Sequence, residues 1–215
     1  MKILIVSGFL GAGKTTFIKR LARNVDQRFA ILENEYGAAG IDGARLGQNR
    51  QGTQKNVWEM TEQCICCIGK KDFAASVLTI ANVVDPEYLI VEPTGVGSLA
   101  RIIENLRQIE YERIQLLSPV TIVDVYSYRR YMAEYPELYQ DQIRSADTII
   151  VSKTEACQAE EKQRIQKFLQ EINSQAKIIT DYASTMTRED YQSLLLGSRY
   201  EKKVQDTQSG EKMPE

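Results

Sequence analysis

The residues best suited to chemistry fall in a few short stretches. Gly8-Phe9-Leu10-Gly11-Ala12-Gly13-Lys14-Thr15 fits the pattern G-x-x-x-x-G-K-[ST], directly after the apolar run Ile3-Leu4-Ile5-Val6. Glycines let successive backbone N–H groups turn inward around an anion, and the helix that follows adds the partial positive charge of its N-terminus. Lys14 would then reach the β- and γ-phosphates of a nucleoside triphosphate, and the Thr15 hydroxyl would ligate Mg²⁺. A glycine-rich turn from strand to helix without a ligand is the simpler alternative. Lys14 and Thr15 in register, with both flanks correct, favour nucleotide.

Glu92 closes the apolar run Tyr88 to Val91, where a Walker B acid belongs, and can hold Mg²⁺ or orient the attacking water. Thr94-Gly95 after it can bring a hydroxyl and a close backbone N–H to the γ-phosphate. Ser152-Lys153-Thr154-Glu155 follows the penultimate strand, where guanine-specific folds carry Asn-Lys-x-Asp. A carboxylate there accepts from guanine N1–H and the 2-amino group, while the lysine stem packs on the base. Adenine offers neither donor, so the pairing discriminates against it. Here Ser152 replaces the asparagine, and Glu155 replaces the aspartate with one extra methylene.

Cys64-Ile65-Cys66-Cys67 gathers three thiols into one short stretch. Thiolates favour Zn²⁺, Cu⁺ and other first-row ions. A permanent structural zinc would normally take four ligands, and neither a second cysteine pair nor any histidine is available to complete the set. An incomplete thiol set suits a metal that is exchanged with a partner, with an oxygen ligand supplied by Glu33, Glu35, Glu59, Glu62 or a second subunit. Cys157, far along the chain, reads as a small packing residue.

Strands and helices alternate between these stretches. Phe17, Ile18, Leu21, Ala22 and Val25 line one face of a helix after the glycine loop, and Phe29 to Leu32 forms a second strand. Asn56 to Met60 reads as a short strand, in a hairpin with the region around Leu46. A helix carrying Phe73, Ala74, Val77, Leu78 and Ala81 precedes the Tyr88 strand, and Leu99, Ile102, Ile103 and Leu106 mark the next helix. Val120 to Val123 is a strand ending at Asp124. A tyrosine-rich helical region follows and breaks near Pro136. Tyr128, Tyr131 and Tyr135 share one face of it, as core packing or as a docking surface. Thr148 to Val151 and Lys177 to Ile179 are the last strands, with the helix of Ile165, Phe168, Leu169 and Ile172 between them. This alternation implies a mostly parallel sheet with helices on both faces, in the manner of a P-loop NTPase, and ligands at the carboxyl ends of the strands.

The 215 residues suit one α/β domain over 1–196, with 197–215 a disordered polar tail. A net charge of −2 gives no basic footprint for nucleic acid. No apolar run is long enough to span a membrane, and no basic region precedes the first strand, so a cytoplasmic chain is expected. With no histidine in the chain, His-based catalysis and His metal ligands are excluded.

Together the motifs resemble the CobW-like family of SIMIBI-class metal-insertion GTPases, over essentially Met1 to Leu196. The most specific stretches are Gly8 to Thr16, Glu33-Asn34-Glu35-Tyr36-Gly37 and Cys64 to Cys67, in that order. The resemblance implies nucleotide contacts from Gly8, Gly11, Ala12, Gly13, Lys14, Thr15 and Thr16, and a switch region beginning at Glu33. It also implies metal bound by Cys64, Cys66 and Cys67 with Glu33, and a second switch at Glu92. Ala38 stands where relatives often carry glutamate, and the C-terminal, often His-rich domain common in the family is not among these residues. The expected function is a slow GTPase that loads or releases a transition metal, Zn²⁺ or else Co²⁺ or Ni²⁺, to a client metalloprotein, with a homodimer considered among its partners. The alternatives are a GTPase activator of a metallocofactor enzyme, such as a corrinoid protein, in which metal only regulates, and a zinc-bound nucleotide sensor.

Overall fold

The computed structural model describes residues 1–27, 29–33, 57–61 and 73–197. Its centre is β1 (Lys2–Gly8), whose Ile3, Leu4, Ile5 and Val6 are wholly buried. A strand apolar on both faces must be covered on both, which is the condition of a parallel α/β sheet. Successive side chains point to opposite faces. Leu4 and Val6 pack with Phe17, Ile18 and Leu21 of α1 (Lys14–Asn24), while Ile3 and Ile5 pack with Leu99, Ile103 and Leu106 of the opposite face.

The remaining strands are β2 (Phe29–Glu33), β3 (Val57–Thr61), β4 (Tyr88–Glu92), β5 (Gln115–Leu116), β6 (Val120–Asp124), β7 (Thr148–Ser152) and β8 (Lys177–Ile179). Their order is β3-β2-β4-β1-β6-β7-β8, and every pairing among these described strands is parallel. The two-residue β5 pairs with the start of β1 and β6 with its end, so both share one flank of β1, separated at Ser118-Pro119. The helices after α1 are α2 (Phe73–Val83), α3 (Leu99–Arg107), α4 (Tyr128–Glu134), α5 (Pro136–Arg144), α6 (Ala159–Ile172), α7 (Tyr182–Thr185) and α8 (Arg188–Ser193).

The chain leaves β1 for β2 on one side, returns to β4, and then builds β6 to β8 on the other side. That reversal opens a crevice at the carboxyl ends of the strands beside β1, where α/β sheets bind ligands.

The hairpin expected with the region around Leu46 falls outside the described residues, but the strand near residue 57 is present. It adds in parallel to β2 in the register Phe29↔Val57 through Glu33↔Thr61, because the long connection from β2 permits a crossover. The region around Leu46 lies outside the described residues, as do Cys64 to Cys67 and 198–215. Gly197 accepts the Ser118 N–H at 3.1 Å and so is tied to the domain. The elements β5 and α7 are too short to leave a periodic signal.

The tyrosines resolve mostly into packing. Tyr128 and Tyr139 are buried, and Tyr128 packs at a tilt against Phe168 with ring centroids 5.1 Å apart. Pro136 starts α5 at its first turn, so Tyr135 lies at the junction of two helices rather than on one continuous face. Cys157 packs partly buried against the cluster around Val123, Ile149 and Leu169.

Candidate functional site

The loop between β1 and α1 carries Gly8, Gly11 and Gly13 at φ 142°, 70° and 99°, a run that residues with a Cβ adopt only at a cost. Gly8 is doubly constrained, since a Cβ there would lie 2.5 Å from the Ile122 carbonyl oxygen of β6. Gly13 caps α1 in the left-handed conformation and accepts the Phe17 N–H. Lys14, only 8% exposed, donates its ammonium to the carbonyls of Gly8 at 3.0 Å and Phe9 at 3.4 Å. The cation is thus held over the mouth of the loop, and these two carbonyls are weaker acceptors than a phosphate oxygen.

Thr15, in the first turn of α1, donates its hydroxyl to both carboxylate oxygens of Glu92, at 3.0 and 3.3 Å. These residues lie 77 positions apart and meet because β4 pairs directly with β1. Two hard oxygens about 3 Å apart match adjacent ligands of an octahedral Mg²⁺ with bonds of about 2.1 Å. The donor set therefore fits Mg²⁺. Leu10, Gly13, Lys14, Thr15, Glu92 and Gly95 line a cleft of about 350 Å³.

Glu92 is followed by a β-turn, in which Gly97 donates to the Thr94 carbonyl at 3.0 Å. Gly95 abuts the glycine-rich loop so closely that a Cβ would sit 2.5 Å from the Leu10 nitrogen. The two loops are in backbone contact.

Ser152, at the end of β7, is buried and donates its hydroxyl to the Ala12 carbonyl at 2.6 Å. It braces the glycine-rich loop. Lys153 has φ 61° and reaches Asp124 at the end of β6, Nζ to Oδ2 2.7 Å, with its side chain half exposed. Glu155 is exposed in the turn that follows. Asp124 also accepts from the Tyr126 N–H and the Ser127 hydroxyl. Burial alone would raise its pKa, but the Lys153 hydrogen bond and the two further donors outweigh it and hold the carboxyl below the usual range.

Glu33 ends β2, in backbone register with Glu92 of β4 on one side and Thr61 of β3 on the other. The strands leading to the expected metal residues therefore end at the same edge as the phosphate loop. The cysteines themselves lie outside the described residues.

Sequence reasoning gave no role to Asp124, Asp141 or Gln142. Asp124 had a signal, an acid closing an apolar strand as Glu92 does. Asp141 and Gln142 had none, being polar residues on a helix whose importance comes only from what that helix touches.

The phosphate loop with its lysine and hydroxyl in register, the strand-ending acid and the parallel sheet define a P-loop nucleotide-binding domain. Residues 2–180 match the nucleotide-binding domain of the CobW/HypB/UreG family, and the chain belongs to that family. The zinc chaperone YeiR of Escherichia coli is 30% identical over 178 residues, covering 81% of this chain and 53% of that protein. The chain spans about half the length of the curated relatives it matches. A Zn(II)-bound YjiA GTPase from E. coli has the same fold, with a TM-score of 0.64 at 22% identity over 87% of this chain and 58% of that one. The hydrogenase maturation factor HypB from Archaeoglobus fulgidus gives 0.62 at 18% identity, over 91% and 89%. Among the described residues, no helix is long and apolar enough to cross a membrane.

Proposed function

We propose that this domain binds and hydrolyses GTP with Mg²⁺ and uses the nucleotide state to control a transition metal, Zn²⁺ foremost, carried for a client metalloprotein. The observation that carries the reading is the direct contact between Thr15 and Glu92 at the mouth of the phosphate loop, with Glu92 in register beside Glu33, which is itself in register with Thr61. One carboxylate thus stands between the nucleotide and the two strand ends that lead toward the expected metal residues. The zinc-chaperone descriptions of the relatives support the choice of metal.

Lys14 and the inward-turned amides of Gly11 to Lys14 would bind the β- and γ-phosphates and hold the transferring group in line. Mg²⁺ held by Thr15 and Glu92 would neutralise charge on the phosphate oxygens. Glu92 would orient the attacking water. Lys153, fixed by Asp124, would lay its stem along the base, while Glu155 accepts from the guanine donors.

The metal is cargo, bound by Cys64, Cys66 and Cys67 with Glu33. The γ-phosphate would order the segments after β2 and β4, and the thiols would respond to that order. Coupling of this kind is reciprocal, so metal must change GTP affinity by the same factor as GTP changes metal affinity.

The test is titration of Zn²⁺, Co²⁺ and Ni²⁺ into the chain loaded with GDP or a non-hydrolysable GTP analogue, with phosphate release from GTP and ATP followed in parallel. Different metal affinity in the two nucleotide states, and faster turnover of GTP than ATP, are expected. Equal metal affinity overturns the coupling. Serine variants of the three cysteines that retain client activation turn the reading to the activator.

A further inference from the structure

We propose that Gln142 is a positioning residue for GTP hydrolysis, fixing the turn after Glu92 against the phosphate loop. The proposal rests on the reading of the cleft as a GTPase site. Gln142 sits on α5 with 1% exposure, unusual for a glutamine. Its amide nitrogen donates to the carbonyls of both Gly95, at 3.1 Å, and Gly97, at 2.9 Å. Both protons of the amide are therefore spent on one four-residue turn. Its own carbonyl oxygen is buried and has no hydrogen-bond partner among the described residues. Turning the amide over would set that oxygen against two backbone carbonyls, so the orientation is fixed by repulsion as well as by bonding.

The neighbouring residue extends the grip. Asp141 Oδ2 accepts from the N–H groups of Leu99, at 2.7 Å, and Ala100, at 3.3 Å, in the first turn of α3. The Gln142 backbone carbonyl is itself anchored by the Thr121 hydroxyl of β6, at 2.9 Å. Two adjacent side chains thus hold the segment from Gly95 to Ala100, beginning three residues after Glu92.

The other side of that segment is the phosphate loop, through the Gly95 contact with Leu10. The helix pair α4–α5 also grips this loop. Phe9 is enclosed by the rings of Tyr131, Tyr135 and Tyr139 at 4.6, 5.7 and 5.1 Å, and the Tyr131 hydroxyl donates to the Leu10 carbonyl at 3.0 Å. One helical unit therefore sets the spacing between the loop that binds phosphate and the turn adjoining the water-orienting acid. Gln142 does not itself line the cleft and acts through the carbonyls of Gly95, which does, and Gly97.

A residue of this kind controls the chemical step more than nucleotide affinity, because the phosphate contacts of Lys14 and the loop amides do not pass through it. The test measures kcat, KM and GDP affinity for Gln142→Met, which keeps length but removes both donors, and for Gln142→Asn, which keeps the amide on a shorter stem. Gln142→Met is expected to lower kcat about tenfold with KM and GDP affinity within about twofold, and Gln142→Asn to recover part of the loss. Should Gln142→Met not fold, Gln142→Asn carries the test, with a lowered kcat at unchanged KM expected. Wild-type kcat in a folded variant overturns the proposal, as does a loss of GDP affinity equal to the loss of kcat. A wild-type chain that binds GTP without hydrolysing it refutes the GTPase reading, and this proposal with it. Wild-type turnover that persists in both variants refutes the proposal alone.

Discussion

Gly95→Ala puts a number on the contact between the two loops. The added Cβ would lie 2.5 Å from the Leu10 nitrogen and 3.0 Å from both Leu10 Cα and the Phe9 carbonyl carbon, against 3.4 Å for an ordinary contact. All three neighbours are backbone, so no side chain can swing aside, and the loops must separate by about 0.9 Å. Gly95 does not need a left-handed conformation, so the effect is steric and localised. A misplacement of about 1 Å near reacting groups can cost about 100-fold in rate. Overpacking of this kind destabilises by about 1–3 kcal/mol, or about 2–12 °C in Tm for a domain of this size. Steady-state phosphate release, GDP affinity and thermal melting should show kcat falling about 100-fold while the protein stays folded and binds GDP. Gly97→Ala serves as a graded control, since its Cβ would meet the Thr94 carbonyl oxygen at a milder 3.2 Å, and a smaller loss is expected. If Gly95→Ala turned over GTP at the wild-type rate, the backbone contact would have no part in the chemistry.

Further expectations follow from other contacts. Asp124→Asn removes the charge that fixes Lys153 and should weaken guanine nucleotide binding more than it lowers Tm, because the half-exposed lysine recovers solvation; isothermal titration with GDP and GTP measures it. Because the folded Asp124 carboxyl titrates below its unfolded value, its contribution to stability is complete above about pH 4 and is lost as pH falls through the lowered pKa. Acid unfolding of wild type should therefore show a component over that range that Asp124→Asn lacks. Phe9→Ala empties the pocket between Tyr131, Tyr135 and Tyr139 and should cost about 3–5 kcal/mol by denaturant unfolding, with a parallel loss of nucleotide affinity. Thr187→Ala breaks a capping box with Asp190 at the start of α8 and should cost about 1 kcal/mol while leaving turnover unchanged.

The sequence by itself determined the glycine loop, the order of most strands and helices, and the identities of Lys14, Thr15 and Glu92. These are local properties: a period of two or 3.6 in apolar residues, a nest of glycines, an acid at a strand end. The strand β3 was legible as a strand, but its parallel partner was not, because pairing depends on where a long connection delivers the chain. Only the tertiary structure brought Glu92 to Thr15, by placing β4 between β2 and β1. It also placed the Ser152 hydroxyl against the Ala12 carbonyl, and gathered Tyr131, Tyr135 and Tyr139 around Phe9. Gln142 shows the limit most clearly. A buried glutamine on a helix carries no periodic signature, and its meaning comes from two carbonyls more than forty residues away that chain packing, not local sequence, places within its reach.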